Sequence, residues 1–184
     1  MKTQFKALAT ITALLASLSA SAMTIDFTEL ATDQTFINVA NPFQSKGFTF
    51  STTHALFYAW GKTQAQNADQ GGAAIIGHEK ITMKQANGQA FSLYSIDMDD
   101  AGSSPKGTST GNTTPHPIKF TFHYVGGTTS EKTVNLDTIG GLQTYVLSEY
   151  NLLSVDWEHT NNWAGPTMGG QFDNIKVNID CGTK

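Results

Sequence analysis

Apolar residues recur at every second position along most of this chain, and that period commits it to extended structure. In IKFTFHYV, residues 118–125, Ile118, Phe120, Phe122 and Tyr124 share one face, while Lys119, Thr121 and His123 take the other. His123 therefore faces outward. The turn GGTTS follows, and EKTVNL returns with Val134 and Leu136 alternating against Thr133 and Asn135, a hairpin pattern. Similar short runs bounded by Gly, Asn, Asp or Ser predict strands over 24–29, 34–39, 47–52, 55–60, 73–76, 80–85, 90–98, 117–125, 129–136, 143–148, 151–158 and 172–179. Beyond residue 22 no stretch keeps an apolar 3.6-residue spacing over three turns. The expected fold is all-β, a jelly-roll-like antiparallel β-sandwich.

Residues 1–22, MKTQFKALATITALLASLSASA, carry Lys2 and Lys6, then a short apolar stretch, then small residues, with Ala20 and Ala22 placed as an A-x-A cleavage site. This reads as a secretory signal peptide, with Met23 opening the mature chain. No later segment reaches the apolar length of a membrane span. Residues 23–184 are expected to form a single secreted or periplasmic domain. Eleven lysines and no arginine are present; two lie in the leader, leaving nine against fifteen acids, a net charge of −6. That balance argues against nucleic acid and anionic lipid as partners. Cys181 is the sole cysteine, so an intramolecular disulfide is excluded and a Cys181-linked dimer is the one covalent pairing open to the chain.

The long polar stretches 61–72 and 99–116 interrupt the strands, and loops of that length are functional or mobile. Acidic residues raise a sharper question. In TIDFTEL, Glu29 continues the face of Ile25 and Phe27 by parity. In FDNIKVNI, Asp173 leads the face of Ile175, Val177 and Ile179. If the first and last strands are antiparallel neighbours, Glu29 and Asp173 meet at one corner. Two carboxylates turned inward repel and are costly to desolvate, and a calcium ion resolves this with oxygen ligands, recruiting Asp26 or Asn174 as well. The alternatives are turn-capping by Asp173 and Asn174, or a bulge that rotates Asp173 to solvent.

The ordered motifs IDF…L, GFTF, FSLYSIDM, GLQTYVL and FDNIKV resemble exported bacterial proteins of the PEP-CTERM (exosortase substrate) type. That resemblance implies a jelly-roll-like sandwich associated with the cell surface or exopolysaccharide. The chain ends NIDCGTK without a sorting tail, so release rather than exosortase anchoring is expected. The pairing of an early acidic strand with a late FDN strand is also similar to carbohydrate-binding modules of the galactose-binding-like type. That likeness implies a structural calcium between the terminal strands, carried here by Glu29 (or Asp26) and Asp173.

A glycan site needs partly exposed rings beside short polar side chains. ALFYAWGK offers Tyr58 and Trp60, and DWEHTNNWAG offers Trp163 flanked by Asn161 and Asn162. Trp157 follows Leu153 and Val155 at period two and is expected in the core. Ser154, Asp156 and Glu158 fall on the face opposite Trp157, by default a solvated one. Catalytic signatures are thin. His54, His78, His116, His123 and His159 are scattered, and GHEK lacks a second histidine at helical spacing. Asp97, Asp99, Asp100, Asp156 and Glu158 are glycosidase acids by type alone. The sequence reading is a non-catalytic protein that binds extracellular polysaccharide or cell-surface glycan. A matrix or adhesion protein with a protein partner is the alternative, and a small glycan lyase or hydrolase the third.

Overall fold

The computed structural model describes residues 22–34, 36–55, 57–65, 67–69, 72–76, 79–99, 116–160 and 170–179. Twelve strands follow one another: β1 (Ala22–Ile25), β2 (Phe36–Val39), β3 (Phe43–Ser45), β4 (Phe48–Thr52), β5 (Phe57–Trp60), β6 (Ala74–Ile76), β7 (Ile81–Gln85), β8 (Phe91–Asp99), β9 (His116–Tyr124), β10 (Thr129–Leu136), β11 (Gln143–His159) and β12 (Gln171–Ile179). All their pairings are antiparallel. A 3₁₀ turn at Thr28–Leu30 is the one helical element among the described residues.

The strands form one open sheet that doubles over at β11 into a jelly-roll-like sandwich. The first half of β11 pairs with β8, and its second half lies between β9 and β7. A front layer, β2–β5–β6–β12–β8, with β1 also on β12, thereby continues into a back layer, β10–β9–β11–β7–β4–β3. The sequence reads two strands where β11 is one. Ser148 and Asn151 adopt left-handed backbone (φ 58° and 57°), and the ladder shifts register on both sides of Glu149. Such irregularities twist a strand enough to pass from one layer to the other. The three-residue β3 escapes a periodicity test. It is joined to β4 by Lys46-Gly47, both at positive φ (44° and 82°), the geometry of a two-residue hairpin turn.

Aromatic rings fill the space between the layers. Phe48 meets Phe91 with centroids 5.2 Å apart, Phe43 meets Phe57 at 4.9 Å, and Trp157 meets Phe172 edge-on at 5.1 Å. Edge-to-face packing of this kind adds to the free energy of area burial. Ile118, Phe120 and Phe122 are all buried, as their alternation requires, and Trp157 is in the core as expected. Leu153 is not: a register shift between Leu152 and Ser154 turns Leu152 inward and leaves Leu153 exposed.

The same device reverses an expectation in β12. Between Asp173 and Lys176 the strand carries one residue more than β8 opposite, and Asn174 takes up the excess at φ 46°. Asn is among the few side chains that tolerate that region. Strict alternation would place Asp173 with Ile175 and Val177. The bulge instead places Phe172 in the core with Ile175 and Val177, and turns Asp173 to the outer face. Phe172→Ala should therefore lower unfolding free energy by about 3–5 kcal/mol. Asn174→Gly, which keeps the left-handed backbone, should change it by no more than about 0.5 kcal/mol. Chemical denaturation of the two variants checks both.

Candidate functional site

The bulge in β12 sets up an acidic patch on the outside of the front layer. Opposite residues of an antiparallel ladder point the same way. Asp173 stands opposite Asp97, and Gln171 opposite Asp99. Gln171 also faces Ile76 of β6, which in turn faces Tyr58 of β5. One continuous outer surface thus runs from the acids of β8 and β12 to the rings of β5 and β2.

Over this surface folds the connection between β5 and β6, a stretch the sequence marks only as polar. Asn67 organises it. Its buried amide donates to the carbonyls of Trp60, Gly61 and Gly72 at 3.1–3.2 Å, and its Oδ1 accepts from the Asp69 backbone N–H at 2.9 Å. Ala68 N–H then donates to the Gln171 side chain at 2.8 Å and fastens the loop to β12. Gly72 has no side chain where one would collide with the Asp69 carboxylate, and so leaves that carboxylate room to sit there. The Ala68–Gln171 bond holds the loop on the face that Asp173 shares with Gln171, and from there Asp69 acts on the Asp173 carboxyl.

Asp173 is only 1% exposed. Its Oδ1 accepts the Asn174 backbone N–H at 2.7 Å, while Oδ2 is buried with no hydrogen-bond partner. A pair of carboxyl groups can hydrogen-bond to one another only while one of them keeps its proton. Burial, foremost, pushes the Asp173 carboxyl up to about 9; the Asn174 N–H opposes it, and the charge of Asp69, a hydrogen bond with Asp69 and the charge of Asp26 add to the rise. Among the described residues no cation pairs with Asp69, Asp97 or Asp173.

The terminal strands are neighbours, the condition on which the sequence reading rests: β1 runs antiparallel to β12, with Ile25 opposite Ile175. Its acids are placed differently from strand parity. β1 ends at Ile25, and Phe27 turns left-handed (φ 46°) to reach the core. Glu29 then falls in the 3₁₀ turn, exposed. Asp26 accepts Lys46 Nζ at 2.6 Å, and this ammonium holds its carboxyl below the usual range. Asp69, which no local pattern announces, acts on the Asp173 carboxyl more strongly than Asp26 does.

Trp60 closes β5 as a buried residue, 4% exposed, packed with Ile76 and Tyr58. Tyr58 is half-buried and lies against Phe36 of the edge strand β2, centroids 4.8 Å apart and planes inclined by 30°. Phe36, absent from the sequence candidates, is 45% exposed. Trp163, Asn161, Asn162, Asp100, His78 and Cys181 lie outside the described residues.

The remaining acids divide between opposite sides of the sandwich. Asp97 accepts Thr144 Oγ1 at 2.6 Å and Asp99 accepts Gly141 N–H at 2.8 Å, both on the front layer. On the outer face of the back layer, Asp156 is held by Thr82 Oγ1 (2.7 Å), His123 Nε2 (3.2 Å) and Lys80 Nζ (3.5 Å), and Glu158 by Lys119 Nζ (3.1 Å). Acids on opposite faces cannot flank one glycosidic bond. Among the described residues no group of three or more His, Cys, Asp or Glu side chains is gathered for a metal, and no helix is long and apolar enough to cross a membrane.

No protein-family model and no curated protein matches the chain. Among solved structures it is similar to the enzymatically active domain of tailspike protein 4 from bacteriophage CBA120, at 10% identity and a TM-score of 0.33. The likeness covers 84% of this chain and 21% of that one. At that level it carries no argument about activity.

The raised Asp173 carboxyl has a pH consequence in chelator-treated protein. The folded state holds a proton that the unfolded chain releases near 3.8, so stability is fully present below that value and falls as pH rises toward about 9. Asp173→Asn removes the titration. Its melting temperature should exceed that of the unaltered protein at pH 8, with the gap closing toward pH 4. A constant gap across thermal melts in that range would contradict the assignment.

Proposed function

We propose that this is an exported, non-catalytic β-sandwich that binds extracellular polysaccharide through the outer face of its front layer. The carrying observation is the Phe36–Tyr58 pair, two rings on an edge of that face with Phe36 open to solvent. Such rings cover the apolar C–H face of a pyranose, and the exposed Asn38, opposite Tyr58 in the ladder, supplies an amide for its hydroxyls. The leader residues 1–22 support export, and the absence of arginine favours a neutral glycan over a sulfated or phosphorylated one. Trp163, Asn161 and Asn162 remain candidate contributors to the same ligand.

A protein partner is the second reading. Val146, Tyr150 and Leu153, spread along β11 where it crosses between the layers, are large exposed side chains open to a macromolecular contact.

Affinity electrophoresis against a panel of neutral polysaccharides separates these readings. Retardation is expected with at least one glycan, and Phe36→Ala with Tyr58→Ala should weaken it about tenfold, about 1.4 kcal/mol. The same incubations should release no new reducing ends. Unretarded migration throughout, or retardation indifferent to both rings, would remove this reading.

A further inference from the structure

We propose that Asp173 and Asp69 together hold a hard divalent cation of the calcium class between β12 and the β5–β6 loop. The site stands apart from the glycan reading and is complete whether or not the rings bind sugar.

Three independent features converge on it. The first is the buried Asp173 Oδ2, which lacks any hydrogen-bond partner although its companion Oδ1 is satisfied. A buried carboxylate oxygen left this way is expensive, and native structures rarely keep one without a reason. The second is construction. A buried asparagine makes three side-chain bonds to backbone carbonyls to shape the loop, and a glycine vacates the volume the Asp69 carboxylate occupies. That machinery serves to bring a second negative charge against the first, which without a cation works against folding.

The third feature is the donor chemistry. Asp69 and Asp173 offer oxygen alone, the ligand atom that hard cations take. Calcium takes six to eight oxygens in a tolerant geometry and fills its remaining positions with water. The absence of a third gathered acid is compatible with that ion, which takes carbonyl and water ligands freely. Asp26, already engaged by Lys46, contributes field rather than a ligand. This arrangement differs from one built on the first strand: Glu29 is exposed and takes no part, and the second carboxylate comes from a loop.

A loop ligand gives the cation a further role. The loop is tied to Trp60 through Asn67 and to β12 through Ala68 and Gln171. Binding at Asp69 therefore fastens the cover of the front layer to the sheet.

The test uses the full mature chain stripped with chelator, with calcium chloride as the probe and both calorimetric titration and thermal melting as readouts. Calcium at about a hundred times its dissociation constant should raise the melting temperature by about 5–10 °C. Asp173→Asn and Asp69→Asn, shape-preserving and neutral, should each abolish the calcium heat and the shift while keeping the β-sheet circular dichroism. Gly72→Ala should weaken calcium at least tenfold by displacing Asp69. Glu29→Gln should respond as the unaltered chain does. No heat and no shift up to 10 mM calcium would overturn the proposal and leave a shared proton between the two acids. A response that survives Asp69→Asn but fails in Glu29→Gln would overturn it too, by moving the ion to the first strand.

Discussion

One extra residue in β12 determines most of what is distinctive here. The left-handed Asn174 reverses the strand's facing at the point where the two ends of the chain meet. Upstream of it Phe172 enters the interlayer cluster against Trp157, Phe27 and Phe50, and Asp173 leaves it. Downstream, Ile175 and Val177 resume core packing. Without the bulge Phe172 would face outward and a carboxylate would sit among phenylalanines, which neither packing nor desolvation permits.

The two outer faces of the sandwich consequently differ in electrostatic character. On the back, acids are matched: Asp156 with Lys80 and His123, Glu158 with Lys119. Exposed pairs of this sort contribute little to stability but keep the face hydrated. On the front, Asp173 lies opposite Asp97 in the ladder and feels the charge of Asp69, and among the described residues none of the three has an ion pair. A chain with no disulfide relies on its aromatic core for stability, and an unmatched acidic patch works against that core. A resident cation turns the same patch into a second fastening. The rings of Tyr58 and Phe36 lie along the same surface, so the fastening and the proposed glycan platform share a foundation.

Much of this architecture is legible in the sequence because period-two patterning is a local signal. Ile118, Phe120 and Phe122 announce β9, and the GGTTS turn announces its hairpin. The adjacency of β1 and β12 is a condition of the sequence reading rather than a product of it, and the ladder supplies it. Legibility fails wherever a single residue breaks the period. Asn174 inverts β12 and the register shift between Leu152 and Ser154 breaks β11 while leaving hydrophobicity unchanged, so parity assigns Phe172 and Leu153 to the wrong sides. Glu29 was extrapolated past the true end of β1, where Phe27 turns left-handed. Asp69 and Asn67 are invisible for another reason: the loop's polar composition does not say which of its side chains is folded inward, and the partner of Asp69 is a hundred residues away. An N-A-D run read as an Asx turn would have marked Asn67 as structured, but nothing local marks Asp69 as the companion of Asp173.

The central claim is that Asp69 and Asp173 press like charges together across the loop and the sheet. A double-mutant cycle in chelator at about pH 10, above the Asp173 titration so that both carboxylates are ionised, with Asp69→Asn, Asp173→Asn and the double variant unfolded by denaturant, reads that contact directly. The account predicts strong non-additivity, about 1–3 kcal/mol, because relieving either charge removes the repulsion felt by both. Effects that sum to within about 0.5 kcal/mol would show the two carboxylates to be energetically independent, contradicting the account.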